Sequence, residues 1–563
     1  MTGPALTAIL LAGCLLAQAC AAPLAHAAGS RGAVATGAPE ATEAALQTMQ
    51  RGGNAIDAAI AAALMLGVVD GHNSGLGGGC FLLIHLADGS LVAIDGRETA
   101  PASATETMYL RDGKAAPELS RTGPLAAGVP GALAAYEFAA QHYGRRPLRE
   151  HFETAARVAD EGFVVNARYA AVLKDNIETL ARFPATCAVL LRPDGSPWQP
   201  GDRLRQRDLA RSYRALADAG SRWFYRGRFA QATARSMRRE GGLLTERDFA
   251  RYRIKLRQPI RTTYRDCEIV GFPPPSSGGV HVAQVLNMIE GFDLRSMNAG
   301  SADSVHLLAE ALKRAFADRA HWLGDPDFAS VPLGLVSKDY ARLLARDLQL
   351  DAATPVVRHG EAQAVSPGAF GRHTTHFSTA DAAGNWVACT ATLNTSFGSK
   401  LMVPGTGIVL NNQMDDFSAQ PGATNYFGLP GASANAVAPG KRPLSSMSPT
   451  IVLKNGRPVL AVGASGGPAI ISQTLLALVN TIDFEMDLET ALRQPRFHHQ
   501  WQPDQLRVEP GVPPEVRLEL ERRGHAVVET RSLSSTQAVA AEPDAGDLVA
   551  VSDPRSGGRA GAW

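Results

Sequence analysis

The sequence predicts an α+β protein, a layered sandwich in which helices cover sheets. Three observations carry that expectation. Much of the first two-thirds has a helical apolar period, as in "NAIDAAIAAALMLGVVD" and "SADSVHLLAEALKRAFADRAHWLG". The distal third turns to runs that are apolar on both faces, such as "NWVACTATLN" and "SPTIVLKNGRPVLAVGAS". Helical segments such as "PAIISQTLLALVNTID" flank those runs and can bury them.

The elements follow in order. The first thirty residues are apolar and rich in Ala and Leu, and the small residues at Ala25-His26-Ala27 suit a signal-peptidase site. Residues 1–27 are therefore read as an export signal removed after Ala27 or Ala28, which places the mature chain in a periplasm or outside the cell. The apolar run is short for a membrane span and is broken by Gln18 and Pro23. "LAGC" at 11–14 has the form of a lipidation box, so a lipoprotein anchored through Cys14 stays open as the alternative. "EATEAALQTMQRGG" and the Ala-rich run after it read as two helices broken by Gly52-Gly53. "SGLGGG" then leads into two apolar runs joined by Asp88-Gly89, a strong hairpin signal. Residues 132 to 350 read as mostly helical, with "GFPPPSSGG" a proline-stiffened turn feeding one of the helices. Residues 355–373 have no period and read as a mobile connection. Beyond them, "TTHFSTAD" and "NWVACTATLN" form a hairpin, and "GTGIVLNNQMDDFS", "SPTIVLKNGRPVLAVGAS", "TQAVAAEP" and "DLVAVSD" add further strand.

Composition narrows the function. Lys and Arg total 55 against 54 Asp and Glu, a formal charge of +1 in 563 residues. That balance gives no electrostatic reason to expect nucleic acid or an acidic membrane. Cys80, Cys187, Cys267 and Cys389 are widely spaced with no C-x-x-C pair, so no zinc site is expected. Cys80 and Cys389 read as small buried hydrophobes.

"GRHTTHFSTADAAGNW", residues 371–386, raises the chemical question. A loop ends on Thr374-Thr375 at the start of a buried strand. A threonine hydroxyl is a poor nucleophile until a base takes its proton. Cutting the peptide bond before a threonine frees its own α-amino group, whose unperturbed pKa near ~8 suits a general base. A lone Thr-Thr pair does not establish this, because threonine is common in strands.

The surrounding motifs do more. "TTHFS", "ATLNTSFG", "LNNQMDDFSAQPG", "GKRPLSSMSPT", "GASGGP", "PRFHHQW" and "SDPRS" occur in order, and "GGNAIDAAIAA", "GLGGGCFLLI", "DGRETAP", "AAGVPGA" and "PPPSSGG" precede them. The set resembles the γ-glutamyltransferase (γ-glutamyltranspeptidase, glutathione hydrolase) family of N-terminal nucleophile hydrolases over nearly everything after the signal. The resemblance implies a four-layer αββα sandwich and a precursor that cuts itself between His373 and Thr374. Residues 28–373 become a large subunit and 374–563 a small one, the two staying together as a heterodimer in one composite domain. It implies Thr374 as nucleophile, Thr392 as the hydroxyl that orients it, and Gly466 and Gly467 as the oxyanion hole. Arg97, Ser445 and Ser446 would take the donor's α-carboxylate, and Asn394, Gln413 and Asp416 its ammonium. The implied reaction passes a γ-glutamyl group from glutathione or a related amide through a threonine ester to water, an amino acid or a peptide, with no metal or organic cofactor. "SAQPGATNYFGLPGASANAVAPGKRP" resembles a lid loop, but Phe427 stands where relatives carry a tyrosine that bonds Asn394. Tyr426 is one residue away, so a one-residue shift would restore the phenol.

Rival readings are weaker in the residues themselves. Gly463 to Gly467 fit G-x-S-x-G with Ser465 as nucleophile, yet no alternating βα register follows, and only His498, His499 and His525 remain as partners. "SGLGGGC" lacks the third glycine of a dinucleotide fingerprint and joins helix to strand, the reverse of a phosphate loop. His498 and His499 are adjacent and would point to opposite faces of a strand. A glutaryl-cephalosporin acylase of the same family is the nearest alternative. A glutaryl group has no amine, so Asp416 would stay unpaired against it, costing about 2–5 kcal/mol. An inactive binding homologue is the other alternative, opposed by the joint presence of Thr374, Thr392, Arg97, Asp416 and both glycines.

Overall fold

The computed structural model describes residues 25–356, 374–420, 422–542 and 546–563. The expected signal lies outside them except for its last three positions, as do Cys14, His373 and most of the 355–373 connection.

Fourteen strands form two antiparallel sheets: β1 His26–Gly29, β2 Gly32–Thr36, β3 Gly79–His85, β4 Leu91–Gly96, β5 Lys255–Arg257, β6 Ile260–Tyr264, β7 Cys267–Gly271, β8 Thr375–Asp381, β9 Trp386–Thr392, β10 Thr450–Lys454, β11 Arg457–Ser465, β12 Ser535–Ala541, β13 Leu548–Ser552 and β14 Arg559–Ala562. One sheet runs β14-β2-β8-β9-β3-β4-β5, the other β1-β13-β12-β11-β10-β7-β6. Side chains from both meet in a buried middle layer that includes Phe81, Trp386, Ile451 and Val539. Helices α1 Pro39–Gln50 and α2 Ala55–Val69 cover the outer face of the first sheet. Helices α3 Gly278–Ile289, α4 Ala302–Trp322 and α5 Ala469–Ile482 cover the second. The four layers are αββα, as the motifs imply.

Local chemistry explains the elements. Asn54 accepts from the backbone N–H groups of Ile56 and Asp57, and Asp57 answers to Asn54 N, a capping box that starts α2 after Gly52-Gly53. Every residue of α2 is buried, and its capping residues Asn54 and Asp57 are buried too, so the capping box satisfies backbone donors that water does not reach. The β3–β4 hairpin forms as read from Asp88-Gly89, and β8 and β9 form theirs through "AAG", residues 382–384.

Two expectations need correction. "GTGIVLNNQMDDFS" forms no strand: Met402 and Val409 make an isolated bridge and Gln413–Asp416 a single 3₁₀ turn. The Asn411 amide takes the place of a ladder, donating to the Gly77 and Gly128 carbonyls and accepting from Gly128 N–H. Conversely, the stretch read as helical contains β5, β6 and β7. Their signal was alternation, buried Ile260, Thr262 and Tyr264 against exposed Arg261 and Thr263, at the edge of the sheet.

Both sheets interleave segments from before residue 356 and after residue 374: β8 and β9 lie between β2 and β3, and β10 pairs with β7. β1 pairs with β13 at the opposite edge, and a cut after Ala27 would leave Ala28 and Gly29 of it.

Candidate active site

The β8–β9 register sets the first contact. Thr375 faces Ala391, which brings Thr374 opposite Thr392. Their Oγ1 atoms are 3.2 Å apart, and both residues are buried. Even-numbered positions of β8 point between the sheets, so the Thr374 hydroxyl opens into the sandwich at the sheet end. Thr392 Oγ1 also accepts from Asn394 N–H at 2.8 Å. Asn394 has φ 80°, a left-handed backbone that asparagine tolerates, and its amide donates to the Asn412 carbonyl.

The glycines of "SGLGGG" find their reason beside this pair. A Cβ on Gly78 would stand 2.1 Å from the Thr392 carbonyl oxygen. The run lets backbone pass close behind the two threonines, and a phosphate loop is not needed to explain it.

From the facing sheet, β11 ends at Ser465 and hands over through Gly466 and Gly467 to α5. Both glycines have positive φ, 129° and 58°, and a Cβ on Gly467 would come within 2.6 Å of the Phe427 ring. Ser465, the rival nucleophile, bonds Ser535 Oγ at 2.7 Å, while His498 is engaged with Ser472 and Gln500.

The charged residues gather at the other end of the same cleft, which Arg97, Thr374, Thr392, Asp416, Ser446 and Gly467 line together. Arg97 follows β4 and is fully buried. Its Nε donates to the Pro443 carbonyl at 3.0 Å, fixing it beside Ser445-Ser446. Those serines are braced by "PPPSSGG": Ser277 N–H and Oγ both donate to the Ser445 carbonyl, and Ser276 Oγ donates to the Met447 carbonyl.

Arg97 and Asp416 were expected to hold opposite charges of a ligand, and here they hold each other. The Arg97 guanidinium lies 2.6 Å from Asp416 Oδ2, and Gln413 Nε2 donates to the same oxygen at 2.7 Å. Glu98 lies 3.7 Å from Arg97; complete burial pushes its carboxyl up to about 8 despite the neighbouring guanidinium.

The loop read as a lid sets Phe427, and not Tyr426, against the cleft. Phe427, buried, lies on Gly467, and Gln500 Nε2 donates to its carbonyl. Tyr426 faces Arg121, 5.5 Å from guanidinium carbon to ring centre, and its N–H donates to Asp415. The register shift that would bring a phenol to Asn394 does not occur.

One charged residue of the cleft lining escaped the sequence reading. Arg319 on α4 is buried, with Nε donating to Ser277 Oγ and a terminal nitrogen to Ser446 Oγ. A signal was available: Leu308, Leu312, Ala315 and Arg319 follow the spacing of an apolar helix stripe, and a charge in such a stripe asks for a reason.

Four αββα layers with a hydroxyl-bearing hairpin opening between the sheets define the class, the N-terminal nucleophile hydrolase fold. A family model described as Gamma-glutamyltranspeptidase matches residues 41–563. The chain is 43% identical over 533 residues to the glutathione hydrolase proenzyme of Escherichia coli, covering 93% of this chain and 90% of that one. It is 42% identical to the acylase ACY 1 proenzyme of Pseudomonas sp. strain SE83, covering 92% and 91%. The solved structure of a cephalosporin acylase from Bacillus halodurans superimposes with a TM-score of 0.82 at 28% identity, covering 96% of this chain and 97% of that one. The protein belongs to the gamma-glutamyltranspeptidase family.

Proposed function

We propose that this protein is a γ-glutamyl hydrolase and transferase made as a self-cleaving precursor. The observation that carries the reading is one cleft holding Thr374 beside Thr392 at one end and Arg97, Asp416 and Ser446 at the other. Relatives named as glutathione hydrolase proenzymes supply the donor class and the precursor.

Scission before Thr374 bares its amine. Thr392, holding Asn394 N–H on one lone pair, donates to Thr374 Oγ1 and so turns the Thr374 proton toward that amine. Thr374 Oγ attacks the γ-carbonyl carbon, the amine takes the proton, and Gly466 and Gly467 N–H groups stabilise the oxyanion. Collapse breaks the amide C–N bond, the amine returns its proton to the leaving nitrogen, and a γ-glutamyl ester stays on Thr374. Water gives glutamate; an amino acid or peptide gives a new γ-glutamyl amide. The donor's carboxylate settles on Arg97, Ser445 and Ser446, and its ammonium on Asp416, Asn394 and Gln413. The interleaved strands would hold residues 28–373 and 374–563 together as two subunits after the cut. Export and removal of residues 1–27 are part of the proposal and rest on the sequence.

The glutaryl alternative is now judged differently. Asp416 is already paired with Arg97, so a bound glutaryl group leaves Asp416 unpaired only if its carboxylate draws Arg97 away. A zwitterion replaces both halves of the broken pair, and a glutaryl group replaces one. γ-Glutamyl remains the better fit.

Purified protein run under denaturing conditions is expected to give two fragments, the smaller beginning at Thr374, and to turn over a γ-glutamyl anilide. An uncut single chain with full activity would overturn the mechanism.

A further inference from the structure

Buried arginines in this protein are generally matched to carboxylates. Arg314 lies 2.9 Å from Glu310, Arg442 lies 3.3 Å from Asp95, and Arg496 lies 2.5 Å from Asp553. Arg319 differs. Among the described residues it forms no ion pair, and its partners are the hydroxyls of Ser277 and Ser446, at 3.0 and 3.2 Å. It is about 95% buried, at 5% exposure, and lines the same cleft as Arg97 and Thr374.

A buried cation held only by hydroxyls is costly unless something else uses its charge. Burial lowers its affinity for its proton, to about 10, with Asp416 opposing and Arg97 adding to the shift. All three groups therefore act on one another. The lining of the cleft sets two guanidiniums, Arg97 and Arg319, against the single carboxylate of Asp416, which Arg97 already occupies. Arg319 carries the unmatched charge. Ser446, which it holds, is also a serine expected to meet the donor's carboxylate.

We propose that Arg319 is a positioning residue of the donor site: it fixes the Ser446 hydroxyl and supplies the second positive charge that draws an α-carboxylate between itself and Arg97, freeing Asp416 for the ammonium. This rests on the γ-glutamyl reading. It explains how a self-paired site opens: Arg97 exchanges one carboxylate for another beside a cation that favours the exchange, so the charge on Arg97 is never left uncompensated. Ser277, from "PPPSSGG", becomes the anchor for the arginine at its other nitrogen.

The test compares two donors, a γ-glutamyl anilide and its analogue with the α-carboxylate replaced by a carboxamide, in native protein and in Arg319→Met and Arg319→Lys. Native protein is expected to favour the acid strongly in kcat/KM. Arg319→Met should shrink that preference about tenfold or more through KM for the acid, with kcat and the carboxamide reaction little changed. Arg319→Lys, which keeps the charge but cannot bridge both serines, should fall between. An unchanged preference overturns the proposal, whether both donors slow equally, as for a purely structural arginine, or neither does. If Arg319→Met fails to fold or to cleave itself, Arg319→Lys decides: a preference reduced about threefold or more supports the role, and one equal to native removes it. Native protein that turns over neither donor would instead sink the functional reading, and this inference with it.

Discussion

The two ends of the cleft are built differently. At the chemical end, Thr374 and Thr392 are neutral, lie on adjacent strands, and meet because a hairpin register places them opposite. At the recognition end, Arg97, Asp416, Ser446 and Arg319 come from a strand end, a 3₁₀ turn, a loop and a helix, and ion pairing and backbone carbonyls position them. The first end is set by local pairing and stays put. The second is closed on itself by the pair of Arg97 and Asp416. On the proposed γ-glutamyl reading, a donor would exchange one partner of that pair for another.

Substitutions at the two ends should fail in different parameters. Thr374→Ala should show the largest effect, no internal cut and no turnover, read from denatured fragments and anilide release. Arg97→Met leaves the half-buried Asp416 without its cation and removes the expected contact to the donor's carboxylate. A loss of about 2–5 kcal/mol, roughly 30-fold to several-thousand-fold in kcat/KM, should fall mainly in KM. Thr392→Val should cost about 1–3 kcal/mol, roughly 5-fold to 150-fold, and in kcat with KM little changed. An Arg97 variant whose loss is confined to kcat would erase the distinction between the ends.

The ends should also part in pH. His376, two residues from Thr374 and between the sheets, is held by burial at about 3, below an ordinary 6.5. The unfolded chain binds its proton first, so stability is complete above pH 6.5 and is lost as pH falls from 6.5 toward 3. Glu98, beside Arg97, is raised from 4.5 to about 8, so the folded chain keeps a proton that the unfolded chain releases. Its contribution is complete below pH 4.5 and is lost as pH rises toward 8. Each slope is at most about 1.4 kcal/mol per pH unit. Melting temperatures of Glu98→Gln across pH 5–9 should lack the alkaline decline. The smallest effect is expected at the lid: Phe427→Tyr offers a phenol near Asn394 and should lower donor KM within about fivefold.

Much of this was legible in the chain. Gly52-Gly53 and Asp88-Gly89 marked real breaks, the alternation of "TTHFSTAD" gave the hairpin, and the ordered motifs named residues that share one cleft. The misreadings have physical causes. "GTGIVLNNQ" looks like strand because its composition is apolar, and only the Asn411 amide, bonded to loops more than 280 residues away, shows why no ladder is needed. Tyr426 beside Phe427 left two lid registers open, and Arg121, about 300 positions earlier, fixes the tyrosine on the other side. Arg319 carries no motif of its own; what sets it apart is that no carboxylate pairs with it among the described residues, which a sequence cannot display.

The sequence by itself determined the layers, the hairpin that brings two threonines together, and the kinds of group available at each end. Those depend on short-range periodicity and turn chemistry, which neighbouring residues encode. The tertiary structure alone decided that Arg97 and Asp416 close on one another, that burial raises the Glu98 carboxyl, and that Arg319 joins them. Charge pairing and desolvation depend on distance and burial in space, and Arg97, Arg319 and Asp416 are far apart along the chain.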